Sequence, residues 1–252
     1  MSRWLLALAL LAVPQGKQIP PAGVPVPAAD KAELESGLKQ LAGELDGLRK
    51  ARGDLYADVE IFYKAVHDAL AHDEFLNAKD IPAGKELLKI GLDRAKELKE
   101  GKPGWASATG NVVRGYVSKI DGSVQPYGLF VPAGYKPDHK HRLDFWLHGR
   151  DESLTELHFV NGRLKGRSEF SPADTIVLHL YGRFCNASKF AGEVDLFEAL
   201  EAVKKRYSID ENRICVRGFS MGGASTWHLG AHHAGLWACV APGAGFAETP
   251  VY

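Results

Sequence analysis

Three features are scarce or missing in this sequence, and each one argues against a class of protein function. There are only 3 cysteines in 252 residues, an odd number without a C-x-x-C spacing, which argues against a disulfide framework or a zinc knuckle. Lysine plus arginine and aspartate plus glutamate both total 31, so no overall field attracts nucleic acid or an anionic membrane. No P-loop and no complete G-x-G-x-x-G occurs, so nucleotide binding has no support and no cofactor is expected.

The remaining composition is that of a globular protein. Hydrophobic residues make up 45%, charged residues 25% and aromatic residues 10%, close to the averages for folded domains. By length the chain corresponds to about 1.7 typical domains, which means one large domain or two modest ones.

The N-terminus resembles an export signal. Arg3 precedes the apolar run Trp4–Val13, which has the length of a signal hydrophobic region and is too short to span a bilayer. The sequence therefore predicts a signal peptide over residues 1–19 and a periplasmic or extracellular protein. Because no clean A-x-A cleavage site follows, an N-terminal core helix is the alternative. Residues 20–29 are rich in proline and predict an extended linker.

Residues 30–104 predict a helical N-terminal extension without a catalytic motif. Five leucines at steps of four and three residues share one helical stripe: Leu34, Leu38, Leu41, Leu45 and Leu48. A helix hairpin or small bundle would bury them. A coiled coil that docks a protein partner is the alternative, although two heptads fall short of the three or four it needs. Further amphipathic helices are predicted over Asp58–Leu76 and Ala83–Leu98, with a break at Pro82.

Residues 105–252 predict an α/β domain. The turn dipeptide Asp121-Gly122 separates two strand patterns, which predicts a hairpin. Three short apolar runs with helices between them are typical of buried parallel strands. The predicted strands are Val112–Ile120, Gln125–Val131, Leu143–Leu147, Thr175–Leu180 and Arg213–Val216. One intervening helix is marked by Asp195 and Glu198, which have capping-box spacing.

The candidate catalytic motif is Gly218-Phe219-Ser220-Met221-Gly222-Gly223. A G-x-S-x-G pattern is weak alone, but here it follows a predicted strand and precedes a helix predicted over about 224–231, which is the arrangement of a nucleophile elbow. Ser220 is the candidate nucleophile, and Gly218, Gly222 and Gly223 would permit the tight turn. An ordinary glycine-rich turn is the alternative.

A nucleophilic serine needs N–H donors for the oxyanion of its substrate. The start of the following helix offers the N–H of Met221. The loop His148-Gly149-Arg150 directly follows the predicted strand Leu143–Leu147, and hydrolases with this elbow place a second N–H donor at that position. Gly149 or Arg150 is the candidate for the second donor. A plain turn at the end of a strand is the alternative.

Several of these segments resemble one family. Gln125-Pro126-Tyr127-Gly128-Leu129-Phe130-Val131-Pro132, Leu147-His148-Gly149 and the elbow hexapeptide resemble prolyl oligopeptidase-like (S9-type) α/β-hydrolases and the secreted esterases related to them. The resemblance covers about residues 112–248 and implies an α/β-hydrolase fold, with Ser220 as the acyl-accepting nucleophile. The stretch 181–195 is also similar to an exported bacterial subgroup with a helical extension.

The sequence departs from the family in its triad. The expected order is serine, acid, histidine, yet 32 residues follow Ser220 and their one acid, Glu248, precedes no histidine. His228, His232 and His233 lie on or just past the elbow helix, which predicts a packing role. We expect that the chain is a fragment, because a predicted strand over Trp237–Ala241 would otherwise be a bare sheet edge. A complete chain without a triad is the alternative.

His139 and His141 form the remaining candidate constellation. They could ligate a metal, but they sit in a charged turn with Lys136, Asp138 and Lys140, which favours a solvated loop, and no metal is expected.

The sequence as a whole predicts an exported serine hydrolase that cleaves a peptide or ester bond. Two alternatives remain. One is a carboxylesterase that acts on polysaccharide esters or polyesters. The other is a non-catalytic binding protein whose leucine stripe docks a partner.

Overall fold

The computed structural model describes residues 18–51, 53–166, 168 and 170–247. The apolar run of the predicted signal peptide lies outside these residues. The helices are α1 (Ala28–Ala51), α2 (Ala57–Ala71), α3 (Asp80–Lys99), α4 (Glu156–Lys165), α5 (Ala191–Arg206) and α6 (Met221–His232). The strands are β1 (Gly110–Val117), β2 (Val124–Val131), β3 (His141–Leu147), β4 (Thr175–Leu180), β5 (Ile209–Phe219) and β6 (Cys239–Gly243).

The six strands form one mixed sheet in the order β1-β2-β4-β3-β5-β6. β1 and β2 are the predicted antiparallel hairpin, and β2 also runs antiparallel to β4. β3, β4, β5 and β6 run parallel, joined by crossover helices. The predicted α/β-hydrolase fold class is confirmed.

Helices cover both faces of the sheet. α1 to α4 share an apolar core with Val113 and Val124 of the hairpin, whereas α5 and α6 pack on the opposite face, on a core that includes Phe145 and Leu178. Alternation of side chains along each strand sends neighbouring residues to opposite cores. No helix in the described part of the chain combines the length and apolar character that a membrane span requires.

The leucine stripe of α1 is buried inside the chain. All five leucines are at most 8% exposed and pack with residues of α2 and α3, such as Phe62 and Leu87. The bundle interpretation therefore fits, and the alternative in which this stripe docks a partner is wrong for this conformation. The division into linker, extension and hydrolase domain stays a prediction, because the helices and the hairpin share one core.

The predictions for the starts of α3 and α5 were wrong. Pro82 lies in the first turn of α3 rather than at a break, because the missing N–H of a proline is tolerated there. The second error concerns α5, which begins at Ala191, four residues before the predicted cap. Asp195 instead accepts a hydrogen bond from the guanidinium of Arg183 at 2.8 Å, so a tertiary contact replaces the capping box.

Candidate active site

Ser220 stands in a strained turn between β5 and α6. Its backbone has φ 56° and ψ −116°, a region that side chains disfavour and that marks functional turns. Its N–H donates to the carbonyl of Gly243 at 2.9 Å, so the end of β6 holds the turn in place. The half-buried hydroxyl lies at the carboxyl edge of the parallel strands, where sites of open α/β sheets are built.

The three elbow glycines are required by close backbone contacts. A Cβ on Gly218 would lie 2.3 Å from the carbonyl oxygen of Gly222, and one on Gly222 would lie 2.0 Å from that of Leu147. At Gly223 the carbonyl oxygen of Gly243 would be 2.3 Å away. These glycines therefore fix how closely β3, β6 and α6 approach one another.

The loop after β3 reaches the candidate nucleophile. A Cβ built on Gly149 would lie 3.7 Å from the Cβ of Ser220, whereas Arg150 is exposed and its guanidinium pairs with Glu152 at 2.8 Å. Met221 opens α6, so its N–H belongs to the first turn, where donors have no partner within the helix. The structure thus brings together Gly149, Ser220 and Met221, three of the four residues that the sequence nominated; the guanidinium of the fourth, Arg150, is engaged by Glu152.

The histidines that follow Ser220 are engaged elsewhere. His228 and His233 place Nε2 atoms 2.9 and 2.6 Å from the two carboxylate oxygens of Glu193 on α5. Hydrogen bonds from both rings lower the pKa of Glu193. His228 is eight residues beyond Ser220, or about 12 Å along the helix axis. Within the described residues, the Ser220 hydroxyl forms no hydrogen bond to a histidine ring.

The loop between β4 and α5 lies beside the candidate site, and the sequence predicted no role for it there. Five residues other than glycine in it have positive φ: Arg183, Phe184, Ala187, Ser188 and Phe190. The thiol of Cys185 donates to the carbonyl of Asp151 at 3.1 Å, which ties this loop to the one that carries Gly149. The left-handed conformations give no sequence signal, because glycine or asparagine would normally occupy them.

A cavity of about 300 Å³ lies beside Gly149 and Arg150. Its wall includes His179 of β4 and Arg163 of α4. Burial, followed by the charge of Arg163, lowers the pKa of His179 to about 3, so the ring is neutral. Arg163 donates a hydrogen bond to Nδ1 of His179 at 3.1 Å. Nε2 of His179 is a buried donor without a partner among the described residues.

One family model matches the segment of the chain that carries this site. Residues 189–252 match the model of the prolyl oligopeptidase family. The match contains the elbow together with α5 and α6, so the resemblance seen in the sequence is confirmed over this segment. A search of curated proteins found no match.

Several solved structures align with about half of this chain. A thermostable esterase is 24% identical, with a TM-score of 0.39 over 52% of this chain and 40% of that one. A ferulic acid esterase from Anaeromyces mucronatus is 18% identical, with a TM-score of 0.35 over 52% and 56% of the two chains. The S-formylglutathione hydrolase of Staphylococcus aureus is 16% identical, with a TM-score of 0.40 over 56% and 59%. The aligned part of this chain thus spans about half the length of these structures.

Proposed function

We propose that the protein is a serine hydrolase that cleaves a peptide or ester bond through an acyl-enzyme on Ser220. The observation that carries the proposal is the strained backbone of Ser220 between β5 and α6, with Gly149 beside it. A turn of this kind presents a hydroxyl at the edge of the sheet instead of burying it in the helix.

The chemistry follows from this arrangement. The Ser220 oxygen attacks the substrate carbonyl carbon, and its proton passes to a base. The N–H of Met221 and an N–H of Gly149 or Arg150 stabilise the negative oxygen that forms. Collapse of this intermediate breaks the bond to the leaving group, which takes up the proton, and water then hydrolyses the acyl-enzyme. In chemistry of this kind the base is a histidine that is oriented by an acid.

The resemblance to the prolyl oligopeptidase family favours a peptide substrate, and a carboxylesterase is the alternative within the same fold. The elbow is common to both, so the substrate must be decided by kinetics. Turnover of a proline-containing peptide amide well above that of an aryl acetate would support the peptidase, and the reverse would support the esterase.

Fluorophosphonate labelling of the full-length protein tests the role of Ser220. We expect labelling and turnover to be lost in Ser220→Ala, while the circular dichroism spectrum stays unchanged. Ser225→Ala is the matched control, because the Ser225 hydroxyl lies on the same helix but donates to the carbonyl of Met221 at 3.1 Å. Unchanged turnover in Ser220→Ala would refute the proposal, and absent labelling of the wild type would favour a non-catalytic protein.

We also propose that the protein is exported. Arg3 and the apolar run Trp4–Val13 support this location because they match the charged and hydrophobic regions of a secretory signal. N-terminal sequencing of the protein from its source cells would decide it. Removal of about 20 residues is expected, and recovery of an intact Met1 from the cytosol would contradict export.

A further inference from the structure

Three side chains of metal-ligating types meet at the edge of the sheet opposite Ser220. The sequence favoured a solvated loop for both histidines, but His141 is buried as the first residue of β3, and only His139 lies in the turn before it. Asp174 directly precedes β4, which runs parallel to β3, so the amino ends of both strands share this edge. We propose that His139, His141 and Asp174 bind a divalent transition metal such as zinc.

The distances between the ligand atoms suit one ion. Nδ1 of His141 lies 2.7 Å from Oδ1 of Asp174, and Nε2 of His139 lies 3.8 Å from Oδ2 of the same carboxylate. One ligand atom from each residue lies within 4.8 Å of the other two. With zinc bonds of about 2.0–2.1 Å, tetrahedral ligand atoms are roughly 3.3 Å apart. Relative to that value, the 2.7 Å hydrogen-bonded contact would lengthen by about 0.6 Å and the 3.8 Å contact would shorten by about 0.5 Å when the ion binds.

The backbone of Lys136 provides the supporting contact. Nε2 of His141 lies 3.1 Å from the Lys136 nitrogen and 3.2 Å from its carbonyl oxygen. Without metal, the Lys136 N–H donates to Nε2, and the ring proton on Nδ1 is donated to Asp174. With metal on Nδ1, the ring proton moves to Nε2 and is donated to the Lys136 carbonyl, the usual partner of a ligating histidine.

The surroundings define the type of ion and its role. Two imidazoles and one carboxylate suit zinc, copper or nickel better than magnesium or calcium. The His141 side chain is 1% exposed and anchors the site, whereas those of His139 and Asp174 are 59% and 52% exposed and leave an entry path. Lys136 and Lys140 in the same turn oppose a cation. The metal would join the beginnings of β3 and β4, so we expect it to stabilise the fold without touching the reacting atoms.

Titration of chelator-treated protein with zinc chloride tests the site. Calorimetry should show one strong zinc site per chain, and the Tm should rise by roughly 3–6 °C for each tenfold excess of zinc over Kd. His139→Ala and Asp174→Asn should each weaken zinc binding by about tenfold or more. Asparagine keeps the size of Asp174 and tolerates its φ of 52°, so this variant should remain folded.

His67→Ala is the matched control. The His67 side chain is 50% exposed and lies 3.0 Å from a carboxylate oxygen of Asp68, yet it lies outside the cluster, so zinc binding should be unchanged. Absence of zinc binding in the wild type, or equal binding in His139→Ala and Asp174→Asn, would overturn the proposal. A Tm rise with magnesium chloride as large as that with zinc would also overturn it, because magnesium selects an all-oxygen site.

Discussion

The carbonyl oxygen of Leu147 occupies the space that a side chain at Gly222 would need, since a Cβ built there falls 2.0 Å from it. Leu147 ends β3 and Gly222 is the second residue of α6. This contact therefore fixes the separation between the elbow and the loop that carries Gly149. One glycine sets the geometry of the candidate nucleophile and of its candidate oxyanion donor together.

We expect Gly222→Ala to lower the free energy of unfolding by about 2–3 kcal/mol, because the backbone of Leu147 must move to admit the methyl group. The variant should also slow the labelling of Ser220. Urea denaturation checks the stability. Gly43→Ala is the control, since Gly43 is an exposed residue of α1 with nothing within 4 Å of its Cβ position, and it should stabilise by about 0.5–1 kcal/mol. An unchanged urea midpoint for Gly222→Ala would show that the contact is not a constraint.

Local pattern was enough to predict much of this fold. The apolar run Thr175–Leu180 predicted β4 with its observed bounds, and the position of Ser220 between a strand and a helix was readable from the glycine spacing. The proximity of Gly149 to Ser220 also followed from sequence, because the carboxyl ends of neighbouring parallel strands meet at one edge. The catalytic roles of these residues stay predictions.

Pairings between distant residues could not be predicted. Asp174 and His141 are 33 residues apart, and Glu193 and His228 are 35 apart. Each pair is created by strand order or helix packing, which a single sequence does not display. Arg183 shows the same limit. It forms an ion pair with Asp195, the residue that the sequence predicted as the cap of α5.

Asp58 links the helical extension to the sheet. It is fully buried on α2, and its carboxylate accepts from Arg114 of β1 at 2.8 Å and from Arg206 at 3.2 Å. It also accepts from the N–H of Gly115 at 2.8 Å, where a Cβ would lie 2.3 Å from the carbonyl oxygen of Ala57. The buried ion pairs of Asp58 and the close backbone contact of Ala57 with Gly115 therefore hold the same turn of α2 against β1.

We expect Asp58→Asn to lower the free energy of unfolding by about 3–5 kcal/mol, because two guanidinium groups would lose their buried counter-charge. Urea denaturation at neutral pH measures the effect. Glu211→Gln is the control, since the Glu211 side chain is 65% exposed and pairs with Lys204 at 2.7 Å, and it should change stability by less than about 1 kcal/mol. Equal effects of the two variants would mean that Asp58 is not a structural link.

Glu156 is a buried carboxyl group with an unusual titration. It begins α4 and pairs with the ammonium group of Lys64, while its Oε1 has no partner among the described residues. Burial raises the pKa of Glu156 to about 7, against the attraction of Lys64. The folded protein therefore holds this proton at a pH where the unfolded chain has released it.

The sign of the pH dependence follows from that difference. Between the unfolded pKa near 4.5 and the folded pKa of about 7, the folded state binds more protons, so the contribution of Glu156 to stability falls as the pH rises. From about pH 5 to about pH 8 the stability of the wild type relative to Glu156→Gln should fall by about 2–3 kcal/mol. Urea denaturation of both proteins across this range measures it.

Glu86→Gln is the control that distinguishes the effect of burying Glu156 from the effect of removing a carboxylate charge. The Glu86 side chain is 49% exposed and pairs with Lys165, so the wild type and this variant should keep a constant stability difference over the same range. If Glu156→Gln also kept a constant difference, the carboxyl group would be ionised throughout. The attraction of Lys64 would then outweigh burial, because an ion pair that offsets its own desolvation leaves the pKa near its ordinary value.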